Sequence, residues 1–220
     1  MKIKDVKLLS FDLKLIQEFY HDILGLETNF NNDYIQIKIG NSTLQFKEDK
    51  NQERSKYHLA INIPSNQITS AKKWLEQKVT LIQKEGFNKI IDFVNWNAKS
   101  IYFYDLEDNI LELIARKDLN VISSESFNSN QFIAISEVGI GTHDPLLFAQ
   151  NMIEKFKLTY FEKDSPTNEF VALGNDEGLF VISSTNRNWF PTNNTVKQNP
   201  IVVEFESMDK IHTVYVNTKA

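Results

Sequence analysis

The chain has 220 residues, no cysteine and a formal net charge of −5, with 41% hydrophobic and 24% charged residues. This is the composition of a globular protein with one large or two small domains. It excludes disulfides, thiolate nucleophiles and zinc ribbons, and its acidic balance argues against nucleic acid or an anionic membrane as partner. No apolar run approaches the length of a membrane span, so a cytoplasmic protein is expected; the abundance of Lys, Asn and Ile suits an AT-rich bacterial genome. Glycine-rich phosphate loops, nucleophile elbows and dinucleotide fingerprints are absent from the sequence.

The first element is a strand in which Val6 and Leu8 share one face and Asp5, Lys7 and Leu9 the other. Asp12 is placed to N-cap a helix whose apolar stripe is Ile16, Phe19, Tyr20, Ile23 and Leu24, and Gly25 suits a left-handed stop. Strands are predicted over 34–40 and 42–48, with Gln45 in the second. The segment HLAINI then opens a new strand. Leu59, Ile61 and Ile63 take one face and His58, Ala60 and Asn62 the other. Pro64 and Ser65 end it, and a helix follows with Ile68, Ala71 and Leu75 on one stripe. Further strands are expected within 80–83, 90–94, 100–105 and 110–116.

The stretch IYFYDLEDNILELIAR at 101–116 is two strands around a polar turn containing Asp105, Asp108 and Asn109. Leu111 and Leu113 point one way; Ile110, Glu112 and Ile114 point the other. An ionised carboxylate between two isoleucines costs several kcal/mol unless a cation or donor meets it. Glu112 is therefore a candidate ligand or catalytic residue.

Residues 117–131, polar and rich in Ser and Asn, read as a linker. Beyond it the plan recurs: Val138 and Ile140 match Val6 and Leu8, Asp144 matches Asp12, and Pro145 fits a first helical turn. EFVALGN and GLFVISS supply later strands, and IVVEF opens a truncated fourth copy. The chain is thus an internal repeat of roughly fifty-residue units. Asp5, His58 and Glu137 hold equivalent places, and Gln45 stands where Glu112 stands. The loop 186–200, with Trp189 and Phe190, is expected to fold over a cup as a lid or to fill a partner's groove, which allows a homodimer.

FDLKLIQEFYHDILGL, HLAINI and YFYDLEDNILEL together resemble the vicinal oxygen chelate superfamily, which includes glyoxalase I, extradiol ring-cleaving dioxygenases, and fosfomycin- and bleomycin-resistance proteins. The resemblance implies an α+β fold of repeated βαβββ modules forming cupped mixed sheets. It implies a first domain over 1–116, made of two paired modules, and a degenerate, truncated second domain over 132–220. Carried over by position, the metal ligands would be Asp5, Gln45, His58 and Glu112, holding a divalent Zn, Ni, Co, Mn or Fe ion. Tyr102 matches the position of an active-site tyrosine, and Glu112 or Asp5 would move a proton.

Glu137 is expected to lack companions, because the corresponding place in the fourth copy is Ile201 and no L-E-L strand follows. The activity implied is a glyoxalase-like isomerase or lyase acting on a small molecule that chelates through adjacent oxygens. The alternatives are an extradiol-type dioxygenase, whose upstream histidine is missing here, and a metal-free binding protein of the bleomycin-resistance type.

Overall fold

The computed structural model describes residues 1–31, 33–50 and 55–218. The first repeat unit is β1 (Lys2–Ser10), helix α1 (Leu13–Gln17) continued by a π-helical turn (Glu18–Ile23), and β2 (Thr28–Phe30), β3 (Tyr34–Ile39) and β4 (Ser42–Glu48). The second is β5 (His58–Ile63), α2 (Ile68–Leu75), β6 (Leu81–Ile82), β7 (Ile91–Phe93), β8 (Ala98–Tyr104) and β9 (Ile110–Arg116). The third is β10 (Ala134–Thr142), α3 (Pro145–Phe156), β11 (Phe170–Asn175) and β12 (Gly178–Ser184); the fourth is the hairpin β13 (Ile201–Ser207) and β14 (Lys210–Val216). The caps fall where the residue types place them. Asp12 accepts from the Lys14 amide and Asp144 from the Leu147 amide, while Gly25 is left-handed at φ 72°.

The units do not pair in chain order. One sheet runs β14-β13-β1-β4-β3-β2 and joins the first unit to the fourth; the other runs β11-β12-β10-β5-β9-β8-β6 and joins the second to the third. The expected 1–116 domain of two mutually paired modules is therefore corrected: β1 lies beside β13, and β5 beside β10. The 117–131 segment is not a free linker either. Val121 takes the Ser65 amide, Ser123 and Glu125 carbonyls take the Gln67 side chain, and Phe127 packs against Trp74. The remaining 132–220 portion, whose last two residues lie outside the described ones, is divided between the two sheets.

Strand alternation decides which face each sheet turns inward. Val6, Leu8, Leu44, Phe46, Val203 and Phe205 of one sheet share a single apolar core with Leu59, Ile61, Leu111, Leu113, Val138 and Ile140 of the other. The opposite face of the second sheet carries Ala60, Ala98, Ile110, Ile114, Tyr102 and Val181, and there the cup opens. No helix among the described residues is long and apolar enough to cross a membrane.

Candidate metal centre

β5 lies in the middle of the second sheet. Its Ala60 is level with Glu112 on β9 to one side and with Glu137 on β10 to the other. A β-bulge between Ile135 and Glu137 lets Ile135 and Val138 both enter the core while Glu137 turns to the cup face. β1 carries the same bulge between Ile3 and Asp5. Since Ala60 offers only a methyl between the two carboxylates, both can lean over it towards His58, one pleat away on β5.

His58 Nε2 lies 3.6 Å from Glu112 Oε2 and 3.9 Å from Glu137 Oε2. One donor atom from each of the three residues falls within 4.8 Å of the others, and all three side chains are buried. The separations are too long for good hydrogen bonds. They approach the spacing of two donors on one ion with bonds of about 2.0–2.2 Å. His58 Nδ1 has no hydrogen-bond partner. Burial pushes the Glu112 carboxyl up to about 7; the Glu137 charge pushes the same way, against the pull of His58 and of the Ser100 and Tyr102 hydroxyls. Burial alone would lower the His58 imidazole, but Glu137 and Glu112 outweigh it and raise it above the ordinary value. Tyr102 is held well above the usual phenol range by burial and the same two carboxylates. A buried imidazole and two carboxylates whose donor atoms lie within 4.8 Å of one another are a set that fits a divalent cation.

Behind Glu137 stands Arg116, with none of its side chain exposed. Its Nη2 donates to Glu137 Oε1, its Nε to Ser136 Oγ at 3.2 Å, and its Nη1 reaches Asp176 at 3.4 Å. The guanidinium lies over the rings of Trp96 and Phe161. Asp176 in turn takes Lys163 at 2.5 Å, and Lys163 reaches Asp118. Arg116 holds one oxygen of Glu137 and leaves the other turned to His58.

Of the residues expected to bind metal, the structure brings together His58 and Glu112. Asp5 and Gln45 are corrected: they lie on the other sheet, where Gln45 Nε2 donates to Asp5 Oδ1 at 2.9 Å and Lys7 stands 3.6 Å from Asp5. Glu137, expected to lack companions, is the third member of the cluster. Tyr102 lines the same cavity and stacks beside His58.

The cavity above the cluster has a volume of about 420 Å³ and is walled by Phe93, Trp96, Tyr102, Phe170, Trp189 and Phe190. Loop 186–200 covers it as a lid, with the Trp189 ring 5.3 Å from that of His58. That contact needs Gly139, where a Cβ would stand 2.8 Å from Trp189 and 2.9 Å from the His58 Cβ. Phe190 packs edge-on against Tyr102, Phe93 and Phe87. Asp105 organises the turn leading to Glu112. It accepts the Glu107 and Asn109 amides at 2.9 Å and the Asn109 side chain at 2.7 Å, and burial pushes its carboxyl up to about 6.

No protein-family model matches the sequence, and no curated protein does. Solved structures do match. A protein named as a dioxygenase from Bacillus subtilis aligns at 14% identity and a TM-score of 0.57, over 83% of this chain and 63% of that one. This chain thus spans less than two thirds of that protein's length. A glyoxalase I variant from Zea mays aligns at 14% identity and a TM-score of 0.55, over 92% of this chain and 74% of that one. The two cupped sheets built from repeated units are the fold of the vicinal oxygen chelate superfamily, and this chain has that fold.

Proposed function

We propose that the protein is a metal-dependent enzyme that holds one divalent cation on His58, Glu112 and Glu137 and binds a small molecule through adjacent oxygens. The observation that carries this is the convergence of three buried donor atoms at the floor of an aromatic cavity. One imidazole and two carboxylates suit Zn, Ni, Co, Mn or Fe(II). A cation bound there supplies Lewis-acid stabilisation of charge developing on a substrate oxygen. The chain's own residues do the rest. His58 presents Nε2 to the site, its ring set by Trp189 on one side and Tyr102 on the other. Arg116 fixes the Glu137 carboxylate. Tyr102, protonated at neutral pH, can donate a hydrogen bond to a bound oxyanion. Glu112 can carry a proton over a short path when one of its oxygens is free of the ion. Trp189 and Phe190 line the space in which the ligand would lie and narrow its access to solvent.

This donor set favours proton-transfer chemistry of the glyoxalase kind, an isomerisation or elimination. The dioxygenase reading is weaker, because the site has one histidine rather than two. A metal-free binding role has one observation in its favour: Arg116 already supplies a counter-charge to Glu137. Titration of chelator-treated protein with Mn²⁺, followed calorimetrically, separates the readings. One site per chain is expected, weakened at least about a hundredfold in Glu112→Gln and His58→Ala. Absence of stoichiometric Mn²⁺, Zn²⁺, Ni²⁺ and Co²⁺ binding to the parent protein rejects the metal-dependent enzyme.

A further inference from the structure

Arg187 is the cation of the cavity wall. It is half-buried on the lid loop, and its main chain is tied on both sides, the amide to the Ser184 carbonyl and the carbonyl to the Val196 amide. Its guanidinium lies over the Phe170 ring at 5.5 Å, and both residues line the cavity. Among the described residues no carboxylate lies within ion-pair distance of it, whereas Arg116 and Lys163 are each bound to two acidic partners. Exposed Lys84, outside the cavity lining, sits over the Phe190 ring at 4.8 Å. The other charges facing this space are Glu112 and Glu137 at the floor and Asp164 at the wall.

An arginine fixed at the backbone, stacked on an aromatic ring and left without a counter-ion presents its donors to whatever fills the space. Arg187 is the arginine of the cavity lining, and the negative end of a ligand is drawn to its donors. The flat surfaces of Trp96, Phe170 and Phe190 suit an apolar or aromatic body between the two ends.

We propose that Arg187 is a specificity-determining residue that binds an anionic group, a carboxylate or its equivalent, on a ligand with an apolar or aromatic body. The inference rests on the reading of the cup as a ligand site and supplies the substrate class for it: an amphiphilic organic anion whose charged end lies away from the metal-binding floor.

The test uses 3-phenylpropionate, 3-phenylpropanamide and 3-phenylpropylamine, titrated calorimetrically into chelator-treated protein, so that no metal competes for the carboxylate. The acid is expected to bind about tenfold tighter than the amide, the scale of one charge-assisted hydrogen bond. Arg187→Gln is expected to abolish that preference and Arg187→Lys to keep most of it. Equal binding of acid and amide to the parent protein overturns the proposal. So does a preference that survives Arg187→Gln. Tightest binding of the amine also overturns it, since Asp164 would then set the charge preference. Mn²⁺ titration of the same samples reads the metal separately. Lost acid preference with intact Mn²⁺ binding rejects this inference alone; absent Mn²⁺ binding with intact acid preference rejects the metal assignment alone.

Discussion

Replacing Arg116 by Met tests the electrostatic logic of the site floor most directly. The guanidinium is wholly buried and faces Glu137, Asp176 and Ser136, so its removal strips the buried Glu137 carboxylate of its cation. Asp176 keeps Lys163 at 2.5 Å, which confines the damage to Glu137. Breaking a buried ion pair from one side costs about 3–5 kcal/mol. At about 2–4 °C per kcal/mol for a chain of this size, the melting temperature of metal-free protein should fall by roughly 6–20 °C. Removing the stranded charge as well, in Arg116→Met with Glu137→Gln, should recover most of the loss, because the penalty lies in the unpaired charge rather than in the missing bond. Differential scanning calorimetry of the four proteins in chelator closes the cycle. A double variant no more stable than Arg116→Met alone would refute the reasoning, and the cost would then belong to the packing of Arg116 on Trp96 and Phe161.

Asp5→Asn and Gln45→Ala should leave Mn²⁺ affinity within about twofold of the parent, since both residues lie on the other sheet; a tenfold loss in calorimetric titration would contradict the site assignment. In chelator, stability should fall as pH rises from 5 to 8. The Glu112 and His58 values are raised on folding, so their contribution is present below the unfolded values and is lost as pH passes the folded ones. For Glu112, between 4.5 and about 7, this amounts to on the order of 2–3 kcal/mol. Glu112→Gln should flatten the slope in thermal melts, and an equal slope in the variant would be inconsistent with it. Gly139→Ala should cost about 1–3 kcal/mol and shift the Trp fluorescence, because the new methyl meets Trp189 and His58; an unchanged spectrum would show that Trp189 does not press on His58 in solution.

The elements themselves were largely legible in the sequence. Alternation in HLAINI and in ILEL put His58 and Glu112 on the cup face, and residue type placed the caps at Asp12 and Asp144. Which unit pairs with which was not legible. A repeat makes every first strand look alike, and β1 presents the same Val6–Leu8 face to either neighbour, so no local pattern distinguishes β5 from β13 beside it. The choice is made by the shared core, a property of the whole chain. Asp5 was carried over by position from the family resemblance and went astray for that reason. Glu137 was visible as the repeat equivalent of His58, but its companions come from another unit, so a search within its own unit finds none. Arg116 could have been noticed as a cation in a buried strand, spaced to share the face of Glu112.

The crossed pairing also bears on how the chain folds. The strands that build the second sheet end at Ser184, and the contact of β5 with β10 spans about two fifths of the distance in sequence that separates β1 from β13. Contacts so far apart along the chain carry a large loop-closure entropy and form slowly. During synthesis the second and third units can close their sheet while β1 still has an open edge, waiting for residues 201–216. An unpaired strand edge on a partly made chain is a template for aggregation. β1, which precedes the other strands in sequence, is therefore among the last to find its place, and the yield of soluble protein should depend more on β13 and β14 than their distance from the cup suggests.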